Sequence, residues 1–197
     1  MKKHLIILLL AITLFKIILS LFINSPHIVF DETAYSLQAH SIWFNHSHWI
    51  GGRVGVVEFS QYPPLYSLLL SPFSPLPAES FFHGALILNA ILSTLAIIPA
   101  FYLSREYLTE NKSLLIAFLV GIMPSAFIYS YTIMSENLYL PLFLASVYFM
   151  KKVADDDSFK HNLLAGIFIS LSFLTRILAL ALVIAYVIEK LYLRLKK

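Results

Sequence analysis

The chain has 197 residues, 59% of them hydrophobic and only 13% charged, with a formal net charge of +3. Water-soluble domains carry ~25% charged residues, so too few polar side chains remain here to cover a globule in water. The absence of cysteine excludes disulfide frameworks, thiolate metal sites and cysteine nucleophiles, and the modest, dispersed positive charge excludes a grip on nucleic acid.

Met1-Lys2-Lys3-His4 precedes an apolar run of about 19 residues from Leu5 to Ile23. At 1.5 Å per residue such a run crosses ~30 Å of hydrocarbon. No Ala-x-Ala site follows it, so it is expected to be an uncleaved first helix rather than a signal peptide. Lys16 lies inside this helix, where a charge is costly. It either snorkels to the headgroups or turns towards other helices and pairs with a carboxylate.

Residues 24–80 form the one long extramembrane segment, a length usually associated with function. Asp31 is placed to cap a helix running to about Phe44, and Glu32 suits the macrodipole in its first turn. Tyr35, Ala39, Ile42 and Trp43 fall near one face, which predicts an amphipathic helix on the membrane surface. His40, His46 and His48 lack the spacing of a helical metal site, and with Trp43 and Trp49 they suggest an interfacial belt. Gln61-Tyr62-Pro63-Pro64-Leu65 then forms a stiff, polyproline-like turn.

Further apolar runs cover about Phe81–Leu103, Ser113–Tyr131, Asn137–Met150 and His161–Leu193. The last is too long for one ordinary span and is interrupted once, at Thr175-Arg176, which predicts a hairpin of two short helices. Six spans put eleven of the fourteen Lys and Arg residues on the cytoplasmic side and leave only Arg53 and Arg176 outside, with Lys16 in the membrane. Five spans would place the Lys190–Lys197 cluster outside, against the positive-inside pattern. The expected architecture is therefore an all-α polytopic membrane protein of about six transmembrane helices. It is a single module over 1–197, with both termini cytoplasmic and residues 24–80 as an extracytoplasmic loop containing amphipathic surface helices. The Asp155-Asp156-Asp157 run is expected to be a solvated cytoplasmic turn.

Four features occur in order along the chain: Asp31-Glu32-x-x-Tyr35 after the first span, Tyr62-Pro63-Pro64-Leu65 before the second, Ser135-Glu136 at the next outer turn, and a late Thr175-Arg176. Together they resemble the GT-C glycosyltransferases, in particular the family 39 type that includes protein O-mannosyltransferases and the aminoarabinose transferases of lipid A. The resemblance covers essentially the whole chain. It departs from the family at Tyr62, where members often carry a basic residue, and in length, since this chain matches only the conserved N-terminal module.

The resemblance implies transfer of a mannose-like sugar from a dolichyl or other polyprenyl phosphate to a hydroxyl acceptor on the extracytoplasmic face, with inversion. The implied partners are membrane lipid, the lipid-linked donor and an acceptor on protein, lipid or glycan. Asp31 is then the candidate base, with Glu32 beside it, since a positioned carboxylate contributes ~10²–10⁴-fold to such a step. Glu136 is the second candidate site carboxylate, orienting the acceptor or sharing a divalent metal ion with Asp31. Arg53 and Arg176 are the outer-face cations available to the donor phosphate, and Tyr62 stands where the family places a phosphate contact. The rival reading is a non-catalytic or partial subunit of a split enzyme that needs a partner membrane chain. A transporter is disfavoured, because beyond Lys16 almost no polar residues fall at mid-membrane depth. Asp31, Glu136 and Arg176 are expected to converge, with an apolar groove opening towards Asp31.

Overall fold

The computed structural model describes residues 2–24, 30–45 and 62–195, and all of its regular elements are helical. They are α1 (Lys2–Ser20), α2 (Phe30–Asn45), α3 (Leu65–Leu70), α4 (Ala78–Thr94), α5 (Ile97–Arg105), α6 (Glu110–Ile122), α7 (Pro124–Ser130), α8 (Glu136–Asp155), α9 (Phe159–Thr175) and α10 (Leu180–Leu195). Short 3-10 turns cover Ser71–Phe73 and Ile177–Ala179.

Prolines set several of the breaks. Pro99 has no N–H for the Leu95 carbonyl, which accepts from Ile98 N at 3.1 Å instead, and α4 passes into α5 there with little change of course. Pro124 opens α7 and holds Met123 extended, with ψ 133°, so α6 and α7 meet at a bend of 45°. Between α9 and α10 the break is Arg176, extended at φ −149° and ψ 135°. The two helices then run antiparallel, because Tyr186 on α10 donates to Asn162 Oδ1 at 2.6 Å near the start of α9 and Lys190 pairs with Asp157. The predicted hairpin at Thr175-Arg176 is present.

Two stretches are long and apolar enough to cross a bilayer, Lys3–Ser20 and Ala78–Arg105, and the bent α6–α7 pair makes a third if it acts as one span. This is fewer than the six helices read from the sequence. The difference lies in α8, whose ends carry Glu136, Lys151, Lys152 and Asp155, and in the splitting of the last run into helices of 17 and 16 residues. The chain is an all-α membrane protein.

One core joins α2, α3 and α4 through Tyr35, Ala39, Tyr66, Leu70, Phe82, Ala85 and Leu86. A second joins α1, α5 and α6 through Leu5, Ile12, Ile97, Phe101 and Ala117. Gly121 permits the close approach in the latter, since a Cβ there would lie 2.7 Å from Ile97 Cδ1 and 2.8 Å from Ile12 Cδ1.

Helix α2 departs from its expected form. It begins at Phe30, so Asp31 lies in its first turn rather than capping it. Its buried face carries Tyr35 and Ala39 but also Gln38, while Leu37, Trp43 and Phe44 are exposed. Polar partners on α3 and just before it explain this: Ser67 donates to Gln38 Oε1 at 2.7 Å, and Gln38 Nε2 donates to the Tyr62 carbonyl at 3.0 Å. Lys16 turns inward, as one of its two alternatives required, but meets the Ser93 hydroxyl at 2.9 Å rather than a carboxylate. The acidic run is partly exposed and also tied down, with Asp155 pairing with Lys151 and Asp157 with Lys190.

Candidate functional site

Asp31 and Tyr62, separated by thirty-one positions, are joined by a hydrogen bond in which the Tyr62 hydroxyl donates to Asp31 Oδ1 at 2.6 Å. The bond depends on how the chain re-enters α3. Pro63 and Pro64 stiffen the approach, and the Tyr62 backbone is pinned to α2 through Gln38. The Tyr62 ring stands edge-on to Tyr35 with centroids 5.0 Å apart, and Tyr35 is likewise edge-on to Tyr66 at 5.1 Å.

Tyr35 extends the chain of contacts. Its hydroxyl shares a 2.7 Å hydrogen bond with Ser135 Oγ, which also accepts from Arg176 Nη1 at 3.5 Å. Arg176 forms an ion pair with Glu136. Ser135 stands at the start of α8 yet makes no capping bond with its side chain, because its hydroxyl is spent on Tyr35 and Arg176. Glu136 sits in the first turn of α8, where the macrodipole favours a carboxylate. The structure thus brings Asp31, Tyr62, Glu136 and Arg176 into one connected set through Tyr35 and Ser135. Arg53, His46 and His48 lie outside the described residues.

Glu32 faces elsewhere, since successive helical residues are ~100° apart. Its side chain is buried, and Oε1 accepts from the Ile133 backbone N–H at 2.7 Å, while Oε2 has no partner. Glu32 lines a groove of about 520 Å³ with Thr33, Leu37, His40, Phe81 and Ile133. An apolar groove is therefore present, but it opens at Glu32 rather than Asp31.

The turn that carries Ser135 and Glu136 is held from two directions. Tyr66 donates to Asn89 Oδ1 at 2.8 Å, and Asn89 Nδ2 donates to the Thr132 carbonyl at 2.7 Å. Asn137 Nδ2 donates to the Tyr129 and Met134 carbonyls at 2.7 and 2.9 Å. Burial pushes the Tyr35 hydroxyl up to about 12 despite the opposing pull of Ser135 and Arg176, and burial also raises Tyr66. Both phenols stay neutral over the physiological range. Tyr35, Ser135 and Asn89 carry the geometry but were not singled out by sequence reasoning as site residues. The available signal was Tyr35 at i+4 from Asp31, on the same helical face.

In this structure the two carboxylates suggested as sharing a divalent metal, Asp31 and Glu136, each have a partner within the protein. Glu136 is paired with Arg176, Asp31 is engaged by Tyr62, and among the described residues no three His, Cys, Asp or Glu side chains gather into a metal-sized group.

The chemistry available is a carboxylate held by a phenol, with a guanidinium in the same connected set to meet an anion. The profile of the dolichyl-phosphate-mannose-protein mannosyltransferases matches residues 61–197, which include Tyr62, Glu136 and Arg176 but not Asp31 or Glu32. Comparison with curated proteins and with solved structures gives no match. With 137 of its 197 residues matched, the chain belongs to the dolichyl-phosphate-mannose-protein mannosyltransferase family.

Proposed function

We propose that this chain is a glycosyltransferase module that moves a mannose-like sugar from a dolichyl or other polyprenyl phosphate to a hydroxyl acceptor on the extracytoplasmic face of the membrane. The observation that carries the reading is the connected set of Asp31, Tyr62, Tyr35, Ser135, Arg176 and Glu136 in a member of this family. Asp31 takes the acceptor proton as the acceptor oxygen bonds to the sugar's anomeric carbon. The bond from that carbon to the phosphate oxygen breaks, and the lipid phosphate leaves with the electron pair. Tyr62 fixes one oxygen of Asp31 and leaves the other for the acceptor. Arg176, half-neutralised by Glu136, meets the phosphate without being fully desolvated alone. The apolar groove at Glu32 supplies room for an apolar substrate segment.

The test is reconstitution of the purified full chain in liposomes with radiolabelled polyprenyl-phosphate mannose and a hydroxyl-bearing peptide or glycan. Transfer by the wild type and its loss in a folded Asp31→Asn variant are the expected results. Full activity in that variant sinks the base assignment. Transfer that appears only with a co-purifying membrane chain supports the partner-dependent reading instead.

A further inference from the structure

Asn89 lies on α4, inside the apolar stretch Ala78–Arg105, and has no surface exposed. An amide at that depth is costly unless protein groups meet both its donor and its acceptor. Here both are met. Nδ2 donates to the Thr132 carbonyl at 2.7 Å, and Oδ1 accepts from the Tyr66 hydroxyl at 2.8 Å. A carbonyl can only accept, so the amide nitrogen has to face Thr132, which leaves the oxygen for Tyr66. The partners dictate the orientation of the amide.

Those partners belong to two parts of the candidate site. Tyr66 stands on α3, four positions after Tyr62, which holds Asp31. Thr132 lies three positions before Ser135 and four before Glu136, and its carbonyl also accepts from the Met134 N–H at 2.9 Å within the turn. Tyr35 closes the circuit: its ring stands edge-on to Tyr66 at 5.1 Å, and its hydroxyl shares a 2.7 Å hydrogen bond with Ser135. The turn before α8 is thus framed by Tyr35 from α2 and by Asn89 from α4.

We infer that Asn89 is a positioning residue. It fixes the Thr132–Ser135 turn against α3, and so sets where Ser135 and Glu136 meet Arg176 relative to the Tyr62–Asp31 pair. It acts through Tyr66 and Thr132 rather than on the substrate. The consequence for transfer rests on the proposed role of Arg176; the hold on the turn does not.

The experiment uses Asn89→Leu, which is close in size but can make neither bond, and Tyr66→Phe, which removes the anchor and leaves the Asn89–Thr132 bond in place. Hydrogen exchange is followed by mass spectrometry on the detergent-solubilised full chain, and donor KM and kcat by steady-state transfer in liposomes. Asn89→Leu is expected to speed exchange about tenfold in the peptide covering 131–139 relative to the α9–α10 hairpin. That peptide contains the Ile133 and Tyr139 N–H groups, which are hydrogen-bonded to Glu32 and to the Ser135 carbonyl. Well below the melting temperature the donor KM is expected to rise severalfold. Tyr66→Phe should give a smaller effect of the same kind, and it serves as the probe if Asn89→Leu does not fold. A lower Tm with exchange raised evenly along the chain, or not raised, overturns the inference, because a residue that only fills the core gives that result. Local exchange with an unchanged donor KM in an active transferase also overturns it. Local exchange in a chain that transfers no sugar upholds the hold on the turn and counts only against the proposed reaction.

Discussion

Tyr62 donates its hydroxyl hydrogen to Asp31 Oδ1 at 2.6 Å, joining the end of the long loop to the first turn of α2. The bond holds the carboxylate in one orientation, and a hydrogen bond to a charged acceptor is worth about 1.5–3 kcal/mol. Tyr62→Phe keeps the ring that stands against Tyr35 and removes the hydroxyl that makes this bond. The expected result is a fall in the transfer rate by roughly tenfold to a hundredfold, with Tm lowered by only a few degrees. A rate equal to wild type would show that Asp31 does not depend on Tyr62.

Arg176 and Glu136 make a second test of the proposed reaction. If Arg176 meets the donor phosphate, Arg176→Gln raises the donor KM by about tenfold or more, the scale of a lost charge-assisted hydrogen bond. Arg176→Lys recovers part of the loss, since it restores charge without the planar fork. The measurement is steady-state transfer at varied donor concentration. An unchanged donor KM in Arg176→Gln removes the phosphate role.

Several features of the fold could be read from local sequence. The hairpin at Thr175-Arg176 follows from the length of the last apolar run and its single polar interruption, and it is present; the break at Pro124 falls inside Ser113–Tyr131, which the hydropathy reads as one run. The bond between Tyr35 and Ser135 spans a hundred positions and depends on how α2 meets α8, which no local rule reports. The same limit explains Lys16. Its inward turn was one of two alternatives, but its neutral partner on α4 emerges only when the helices are assembled. Asp31 was expected as a cap because Asp favours that position. The tertiary contact with Tyr62 gives the carboxylate a partner instead.

Two glycines in helices are expected to respond in opposite directions. A Cβ at Gly166 meets nothing within 4 Å, so Gly166→Ala gains helix propensity and stabilises by about 0.5–1 kcal/mol. A Cβ at Gly121 would press on the end methyls of Ile97 and Ile12, which can yield to Ala but not to Leu. Gly121→Leu should cost about 1–3 kcal/mol or more through overpacking, and Ile97→Ala in the same chain should return part of it. Thermal unfolding in detergent measures all of these.

The alkaline limb of stability is expected to report Tyr35. Its folded hydroxyl is raised to about 12 from an ordinary 10, chiefly by burial. The neutral form is therefore favoured by the fold, so the contribution is complete below pH 10 and is lost as pH rises towards 12. Two pKa units correspond to about 2–3 kcal/mol. Tyr35→Phe cannot ionise, so its Tm should start lower, for want of the Ser135 bond, but fall less steeply between pH 10 and 12. Parallel curves for the two proteins would place the titration elsewhere.

Glu32 separates structure from chemistry in the acidic pair. Asp31 turns to Tyr62, whereas the buried Glu32, one of the residues along the groove, gives one oxygen to the Ile133 N–H at 2.7 Å and leaves the other unpartnered. The first role needs only an acceptor, and Glu32→Gln retains one in its amide oxygen. Glu32→Ala leaves the Ile133 N–H without a partner inside the core, at a cost of about 1–3 kcal/mol. Glu32→Gln is therefore expected to unfold within a few degrees of wild type and Glu32→Ala well below it. Transfer depends on the second role. If the carboxylate charge orients the acceptor in the groove, Glu32→Gln is folded but slowed by roughly tenfold to a hundredfold, because it presents an amide N–H where a hydroxyl donor should bind. If Glu32 only holds the 133 turn, Glu32→Gln transfers at the wild-type rate and all of the loss appears in Glu32→Ala. Measuring Tm and transfer on the same two preparations decides between them.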